Sequence, residues 1–254
     1  MSDIQHQDQQ RFARQTGAGP APTAAVPGID QRMRIMLQPI APPSILGLFG
    51  FAGATFIVSA HMAGWYGTNS SGEFLFPFAA MFGGLAQFLA GMWAYRARDG
   101  IATAMHGMWG SFWLGYGILN LLAAVGALTL PTTKFPELGF WFLALAAITA
   151  AGVIAALFES LGLVAVLTPL AAGAAFAAIH YLTGSSTWET IAGWVLLASA
   201  FIAFYVAFAM MLEGAAGRVI LPLGKPKAAA NKPGSRITHP VEWALGEPGV
   251  RQGQ

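Results

Sequence analysis

The stretch FPFAAMFGGLAQFLAGMWAY, residues 76–95, decides the fold class of this chain. It contains no charged residue and holds one amide, Gln87, near its middle. About 20 apolar residues in an α-helix rise about 30 Å, which matches the hydrocarbon thickness of a bilayer. The stretch therefore predicts a transmembrane helix and not the core helix of a soluble domain.

Small residues recur on one face of this predicted helix. Ala79, Gly83 and Ala90 share that face with Gln87, since they follow one another at intervals of about one helical turn. Small residues let helices approach closely in lipid, where no hydrophobic effect drives them together. We therefore expect close neighbours for this helix, with Gln87 pointing among them. The small faces of the first and second spans also predict contacts between subunits.

The composition is that of a membrane protein. Of the 254 residues 56% are hydrophobic and 9% are charged, against about 25% charged in an ordinary globular domain. The formal net charge of +2 is too small to favour a nucleic-acid partner. Because the chain has no cysteine, disulfides, thiolate metal sites and cysteine nucleophiles are excluded.

Apolar runs along the rest of the chain complete a pattern of six spans. We predict an all-α integral membrane protein whose six transmembrane helices occupy residues 44–214. Residues 1–43 are rich in Gln, Ala, Pro and Gly and are predicted to be a disordered tail, and residues 215–254 a polar C-terminal tail in the cytoplasm. The predicted spans are 44–66, 74–95, 102–128, 138–158, 161–182 and 187–212.

The basic residues predict the orientation of these spans. Six spans place both termini and the connections 2–3 and 4–5 on one side of the membrane. Of the 13 Lys and Arg residues, Lys134 alone falls on the other side. Since loops rich in Lys and Arg stay in the cytoplasm, we expect a multi-pass protein of the plasma (inner) membrane with both termini cytoplasmic.

Polar side chains within the first span are candidates for lining a path. Gly47, Phe51, Thr55 and Ser59 recur every four residues and so share a face that is part small, part hydroxyl and part aromatic. Such a face can line a narrow path. Alternatively, the two hydroxyls bond the carbonyl groups one turn back in their own helix.

The third span carries a second face of this kind. Trp109, Trp113, Tyr116 and Asn120 lie at successive turns, and aromatic rings with a polar tip suit either a pore constriction or a helix interface. For Asn120 and for Gln87 the alternative is a hydrogen bond between helices.

Titratable residues are few in the spans. His61 and His106 are possible members of a proton relay because imidazole titrates near neutral pH, the alternative being a packed, neutral histidine. Neither has a second ligand three or four residues away, so no metal site and no cofactor is predicted. Glu159, Glu189 and Glu213 fall at predicted helix ends, where we expect them to be solvated.

No span has Lys or Arg in its interior, which matters for any anionic substrate. An anion would be met only by hydroxyls, amides and helix N-termini, or it would cross with a proton as the neutral acid. The neutral route costs less desolvation. Because neither paired carboxylates nor a nucleophile with a base is visible in the sequence, an enzyme is not predicted.

Several motifs resemble the acetate uptake transporter family, which includes the succinate-acetate permeases. The resemblance covers about residues 42–226 and is most specific in the second span. The motifs are LGLFGF at 46–51, PFAAMFGGLAQFLAGMWAYR at 77–96, GSFWLGYG at 110–117, IAGW at 191–194 and GRVILPLGKP at 217–226.

The resemblance implies both architecture and function. Members of the family have six helices per subunit, assemble as hexamers with a path through each protomer, and move acetate and related short carboxylates, with proton coupling proposed. Their constriction of Phe, Tyr and Leu would fall on Phe51, Trp109 and Leu170, with Trp in place of Tyr. Ala203 matches a small position in the sixth span that influences substrate size.

The chain departs from the family pattern in the first span. The signature Asn-Pro-Ala-Pro-Leu-Gly-Leu appears as PPSILGL at residues 42–48, and Met62 stands where an Asn usually follows the histidine. The first hypothesis is a transporter or channel for acetate and related monocarboxylates or dicarboxylates, which are taken up with a proton or as the neutral acid. The alternatives are a channel for a small neutral solute such as ammonia or urea, and a structural membrane subunit.

Overall fold

The computed structural model describes residues 40–68 and 70–225. Within them the fold is all-α, and six long helices follow one another in the order and nearly at the limits that the sequence predicts. The predicted N-terminal tail up to residue 39 and the chain from residue 226 onward lie outside the described residues. The helices are α1 (Pro43–Met62), α2 (Ser71–Ala97), α3 (Gly100–Ala124), α4 (Pro136–Ala156), α5 (Leu161–Thr183) and α6 (Ser186–Ala216).

Local sequence signals set where these helices begin and end. Pro43 opens α1 at a position where the missing N–H costs nothing. Asp99 caps α3 and Ser160 caps α5, each through a side-chain oxygen that accepts a backbone N–H. Gly184 ends α5 and Gly217 ends α6 in the left-handed conformation that glycine adopts without strain.

Helix α2 changes geometry in its middle. Its first part is α-helical, residues Ala80–Ala86 form a π-helical segment, and the α-helix resumes at Gln87. Pro77 precedes the π-helical segment, and because it lacks an N–H it weakens the regular hydrogen-bond ladder there. Short π-helical segments are frequent at functional sites, and this one ends where Gln87 enters the bundle.

The helices are arranged as a closed ring in chain order. Each helix packs against the next one in sequence, α6 returns to pack against α1, and α1 also contacts α3. This order leaves α1, α2, α3 and α5 facing a common interior, which contains the cavity described below.

Glycines allow close contact between α2 and its neighbours. A Cβ on Gly91 would lie 2.7 Å from the backbone nitrogen of Gly107 on α3, so the two backbones nearly touch. Gly83 faces Trp113 and Gly84 faces Leu114, both of the same protomer. The prediction that this small face makes subunit contacts is therefore wrong at Gly83 and Gly84, because α3 already occupies it.

The outer surface of the bundle suits lipid. Five of the six helices are long and apolar enough by composition to cross a membrane. Helix α3 has the length, but His106, Asn120 and its Trp, Tyr and Gly residues make it less apolar, and most of those side chains point inward. Large apolar side chains that a soluble surface would not carry in such numbers are exposed, among them Phe74, Phe78, Trp93, Phe140, Ile154 and Phe158.

Candidate functional site

A narrow cavity lies between the helices, near the end of the bundle at which α1 begins. Its volume of about 30 Å³ gives room for roughly two water molecules. None of the described residues that line it is Lys or Arg. It is lined by Ser44, Leu48 and Phe51 of α1, Gln87 of α2, Ile101, Ala102, Met105, His106 and Trp109 of α3, Leu163, Val166, Leu167 and Leu170 of α5, and the loop residues Asp99 and Glu159.

The three side chains predicted to form a constriction meet at this cavity. Phe51, Trp109 and Leu170 are each 2% exposed and all three line it. The rings of Phe51 and Trp109 pack edge to face, with centroids 6.3 Å apart. We call these three residues the neck. An apolar neck of this kind loses water readily and so disfavours ions.

A hydroxyl on α4 fixes the indole of the neck. Trp109 Nε1 donates a hydrogen bond of 3.0 Å to Oγ1 of Thr149, and that hydroxyl donates in turn to the carbonyl oxygen of Leu145 at 2.6 Å. Thr149 is fully buried. The orientation of Trp109 across the neck is therefore determined by a helix that does not itself line the cavity.

Two buried polar atoms on the cavity side of the neck have no hydrogen-bond partner among the described residues. They are Oε1 of Gln87 and Nδ1 of His106, in side chains that are 2% and 4% exposed and that both line the cavity. The ring of His106 lies on Gly47, where a Cβ would come within 2.5 Å of it. The alternative for Gln87, a hydrogen bond between helices, is not formed by its Oε1 within the described residues.

The other side of the neck presents a second pair of such atoms. Oγ1 of Thr55 and Nε1 of Trp113 are buried without a partner among the described residues, one helical turn beyond Phe51 and Trp109 respectively. Ser59 differs, since its hydroxyl donates to the carbonyl oxygen of Thr55. The alternative of bonding within the helix therefore holds for Ser59 and not for Thr55.

The remaining predicted site residues lie away from the cavity. Asn120 is buried, but its Nδ2 donates to the carbonyl oxygen of Tyr116 in its own helix at 2.8 Å. Ala203 is fully buried in the core on α6 and does not line the cavity. The structure therefore brings together Phe51, Trp109, Leu170, Gln87 and His106, but not these two.

The two histidines of the predicted relay are far apart. His61 lies at the end of α1, where its Nδ1 is 3.0 Å from the carbonyl oxygen of Tyr66. His106 contacts Gly47 of α1. Gly47 lies 14 residues before His61 in that helix, which corresponds to about 21 Å along its axis. Direct proton transfer between the two is excluded by distance, so each would have to act alone.

Two carboxylates stand at the mouth of the cavity. Oδ1 of Asp99 accepts a 2.8 Å hydrogen bond from the backbone of Ala102, while burial raises the pKa of Asp99 and this backbone bond opposes the rise. Burial and the nearby charge of Asp99 raise the pKa of Glu159 to about 7, and Lys225 lowers it. Glu159 is therefore not simply solvated as the sequence predicts. It is half-buried and lines the cavity.

The segment after α6 holds Glu159's loop in place. Ser160 Oγ donates to the carbonyl oxygen of Leu223 at 2.9 Å. The backbone nitrogen of Leu161 donates to the carbonyl oxygen of Gly224 at 3.2 Å. Leu223 is 7% exposed. Residues 217–225 of the predicted C-terminal tail therefore pack against the start of α5.

Sequence reasoning missed Thr149, Asp99 and the position of Glu159. Thr149 is a single hydroxyl in an apolar helix, so no spacing distinguished it. Asp99 before Gly100 carried a helix-start signal but no sign that it faces a cavity. Glu159 was visible at a helix end, and only the packing of α5 turns it toward the interior.

Apolar outer surfaces and an internal cavity closed by a neck define a multi-pass, all-α membrane protein with an enclosed site between its helices. The chain belongs to the GPR1/FUN34/yaaH family, whose model matches residues 27–224. That match includes all six helices and every residue of the cavity.

Similar proteins and a solved structure add to this assignment. The succinate-acetate/proton symporter SatP of Escherichia coli is 28% identical over 193 residues, which cover 73% of this chain and 96% of SatP. An uncharacterized protein of Methanothermobacter thermautotrophicus is 28% identical over 191 residues, or 72% of this chain and 90% of its own. A solved structure titled as the bacterial acetate channel SatP superposes with a TM-score of 0.67 at 26% identity, covering 73% of this chain and all of that one. The two named relatives are thus a symporter and a channel, not enzymes.

Proposed function

We propose that this protein is a membrane transporter or channel for acetate and related short carboxylates, which pass with a proton or as the neutral acid. The observation that carries the proposal is the neck of Phe51, Trp109 and Leu170 with unused buried polar atoms on either side of it. The likeness to a succinate-acetate/proton symporter and to an acetate channel supports the same substrate class.

The unused polar atoms favour a passing solute over a packed structural subunit. A buried donor or acceptor without a partner costs about 1–3 kcal/mol, and native proteins keep few of them. Among the described residues there are four: one each on Gln87 and His106, which line the cavity, and one each on Thr55 and Trp113, one helical turn beyond Phe51 and Trp109. A solute with one donor and one acceptor, such as a carboxylic acid, can use them in turn.

The charge of the cavity favours the neutral form of the acid. Asp99 and Glu159 are acidic, and the described lining contains no Lys or Arg. An anion entering this low-dielectric space would meet two carboxylates and, among the described lining residues, no basic side chain to pair with. A protonated acid avoids both costs, so we expect uptake to rise as the external pH falls.

Orientation, location and assembly belong to the proposal. We place the protein in the plasma (inner) membrane with both termini in the cytoplasm, so that the mouth with Asp99 and Glu159 faces inward. The protein would assemble as a homo-oligomer, a hexamer by likeness to its family, with one path in each protomer and with lipid around the oligomer. The domain limits at residues 43 and 214 remain predictions.

Uptake into proteoliposomes tests the substrate. Purified protein should carry radiolabelled acetate at a rate that rises between external pH 8 and 6 and that unlabelled succinate or lactate reduces by competition. Protein-free liposomes supply the background, since acetic acid also crosses lipid. Competition by ammonia or urea, with none by carboxylates, would replace this proposal with the neutral-solute channel, and uptake equal to the background would favour a structural subunit.

A further inference from the structure

Glu159 lies between the cavity and the surface, where a carboxylate can exchange a proton with either. It lies in the connection between α4 and α5, half-buried, and reaches both the cavity and the surface. Its position is well defined, since its backbone nitrogen donates to the carbonyl oxygen of Ala156 at 3.0 Å and Ser160 beside it is anchored to Leu223.

The neighbouring charged groups leave Glu159 free to bind a proton. Asp99 is committed to capping α3 through the N–H of Ala102. Lys225 forms its ion pair, at 2.6 Å, with Glu213 of α6. His106 also lines the cavity and is 4% exposed, while Arg98, the residue before Asp99 in the chain, is exposed.

We propose that Glu159 is the proton acceptor for the neutral acid that arrives through the neck, an inference that rests on the proposed function. In this step the O–H bond of the substrate breaks, its proton binds a carboxylate oxygen of Glu159, and the substrate becomes its anion. Glu159 then passes the proton to water at the mouth and is ready for the next molecule. No electrons are transferred, and no other reactant is needed.

The surroundings favour this direction of transfer. Burial and the charge of Asp99 raise the pKa of Glu159 to about 7, above the pKa of about 4 of a carboxylic acid in contact with water, so at the mouth the proton moves from the substrate to Glu159. The new anion then faces Asp99, and like charges repel it toward water. Gln87 and His106 line the same cavity, and their polar atoms that have no partner among the described residues can hold the acid before it reaches Glu159.

The experiment is release of acetate from membrane vesicles that contain the protein and have a fixed internal pH of 6. Passive escape of acetic acid depends on the internal pH alone, so its initial rate does not respond to the pH of the bath. If Glu159 faces the bath and must be deprotonated to act, release should rise about tenfold between bath pH 6 and 8, in keeping with a pKa of about 7. Inverted and right-side-out vesicles are both measured, and the response is expected only in the kind that turns Glu159 outward.

Three variants make the test specific. Glu159→Gln keeps the size of the side chain but cannot accept a proton at neutral pH, so release should fall about tenfold and lose its response to bath pH. Glu159→Asp should restore part of both. Asp99→Asn keeps the helix cap but removes the charge that raises the pKa of Glu159, so the response should move to lower pH.

Glu137→Gln is the matched control, because Glu137 lies at the first turn of α4, at the opposite end of the bundle. It should behave as wild type. Wild-type rates and an unchanged bath-pH response in Glu159→Gln would overturn the inference while leaving acetate transport intact. Release no faster than from protein-free vesicles in the wild type would instead defeat the proposed function itself.

Discussion

Trp109 is positioned in the neck by one hydrogen bond to a helix outside the cavity. Its indole N–H reaches Thr149, and the same hydroxyl is anchored to the carbonyl oxygen of Leu145. A Tyr at this position, as the family resemblance leads one to expect, would have no N–H to offer Thr149. The width of the neck in this chain therefore depends on Thr149 as well as on the three residues that form it.

Thr149→Val should loosen the neck without filling or emptying the core, because valine has the shape of threonine. It leaves the indole N–H buried without an acceptor, which costs about 1–3 kcal/mol, and the ring can then turn away from Phe51. We expect uptake of lactate relative to acetate to rise by up to about tenfold, since 1.4 kcal/mol corresponds to a factor of ten. The ratio is measured with both labelled acids in the same proteoliposomes.

Trp109→Phe provides the control for this prediction, since phenylalanine keeps an aromatic ring but has no N–H. If Thr149 acts through the indole, the double variant should show the same acid ratio as Trp109→Phe alone. Additive effects of the two substitutions would mean that Thr149 influences the neck by another route.

At the scale of whole helices, α2 and α3 pack closely because Gly91 has no side chain at the point of contact. A Cβ on Gly91 would lie 2.7 Å from a backbone nitrogen of α3, whereas a Cβ on Gly107 would meet nothing within 4 Å. The same chemical change at these two positions should therefore have opposite effects.

Gly91→Ala should lower the stability of the protomer, because overpacking typically costs about 1–3 kcal/mol. Gly107→Ala should leave it unchanged or raise it by up to about 1 kcal/mol, since alanine favours the helix over glycine. The apparent melting temperature in mild detergent measures both. Equal shifts in the same direction would show that α2 and α3 are not in the close contact described here.

The distribution of Lys and Arg predicts how the whole molecule lies in the membrane. Because the chain has no cysteine, single cysteines can be introduced without removing any. Lys134→Cys, in the connection between α3 and α4, should react with a membrane-impermeant maleimide on intact cells. Arg96→Cys, exposed at the end of α2, should react only after the cells are permeabilised. The reverse pattern would invert the orientation and place Glu159 at the outer mouth.

The sequence by itself determined the class and the helices of this protein. A charge-free run of about 20 residues such as 76–95 has the length and hydropathy of a membrane-spanning helix, and the same two properties were enough to predict six helices close to their observed limits. The neck residues could also be predicted, through motifs that resemble a known family. Spacing alone did not decide whether Trp109 belongs to a constriction or to a helix interface.

Only the tertiary structure decided which polar groups meet at the cavity. Helical periodicity shows which residues share a face, but not what that face touches, and apolar helices carry apolar residues on every side. Thus Thr55 and Ser59 share a face, yet the hydroxyl of Thr55 has no partner in the described part of the chain, while that of Ser59 donates to a carbonyl of its own helix. Gly83 faces α3 and not another subunit. The loop that carries Glu159 is anchored through Ser160, whose hydroxyl donates to Leu223, 63 residues away in the chain, and no local pattern encodes a contact of that range.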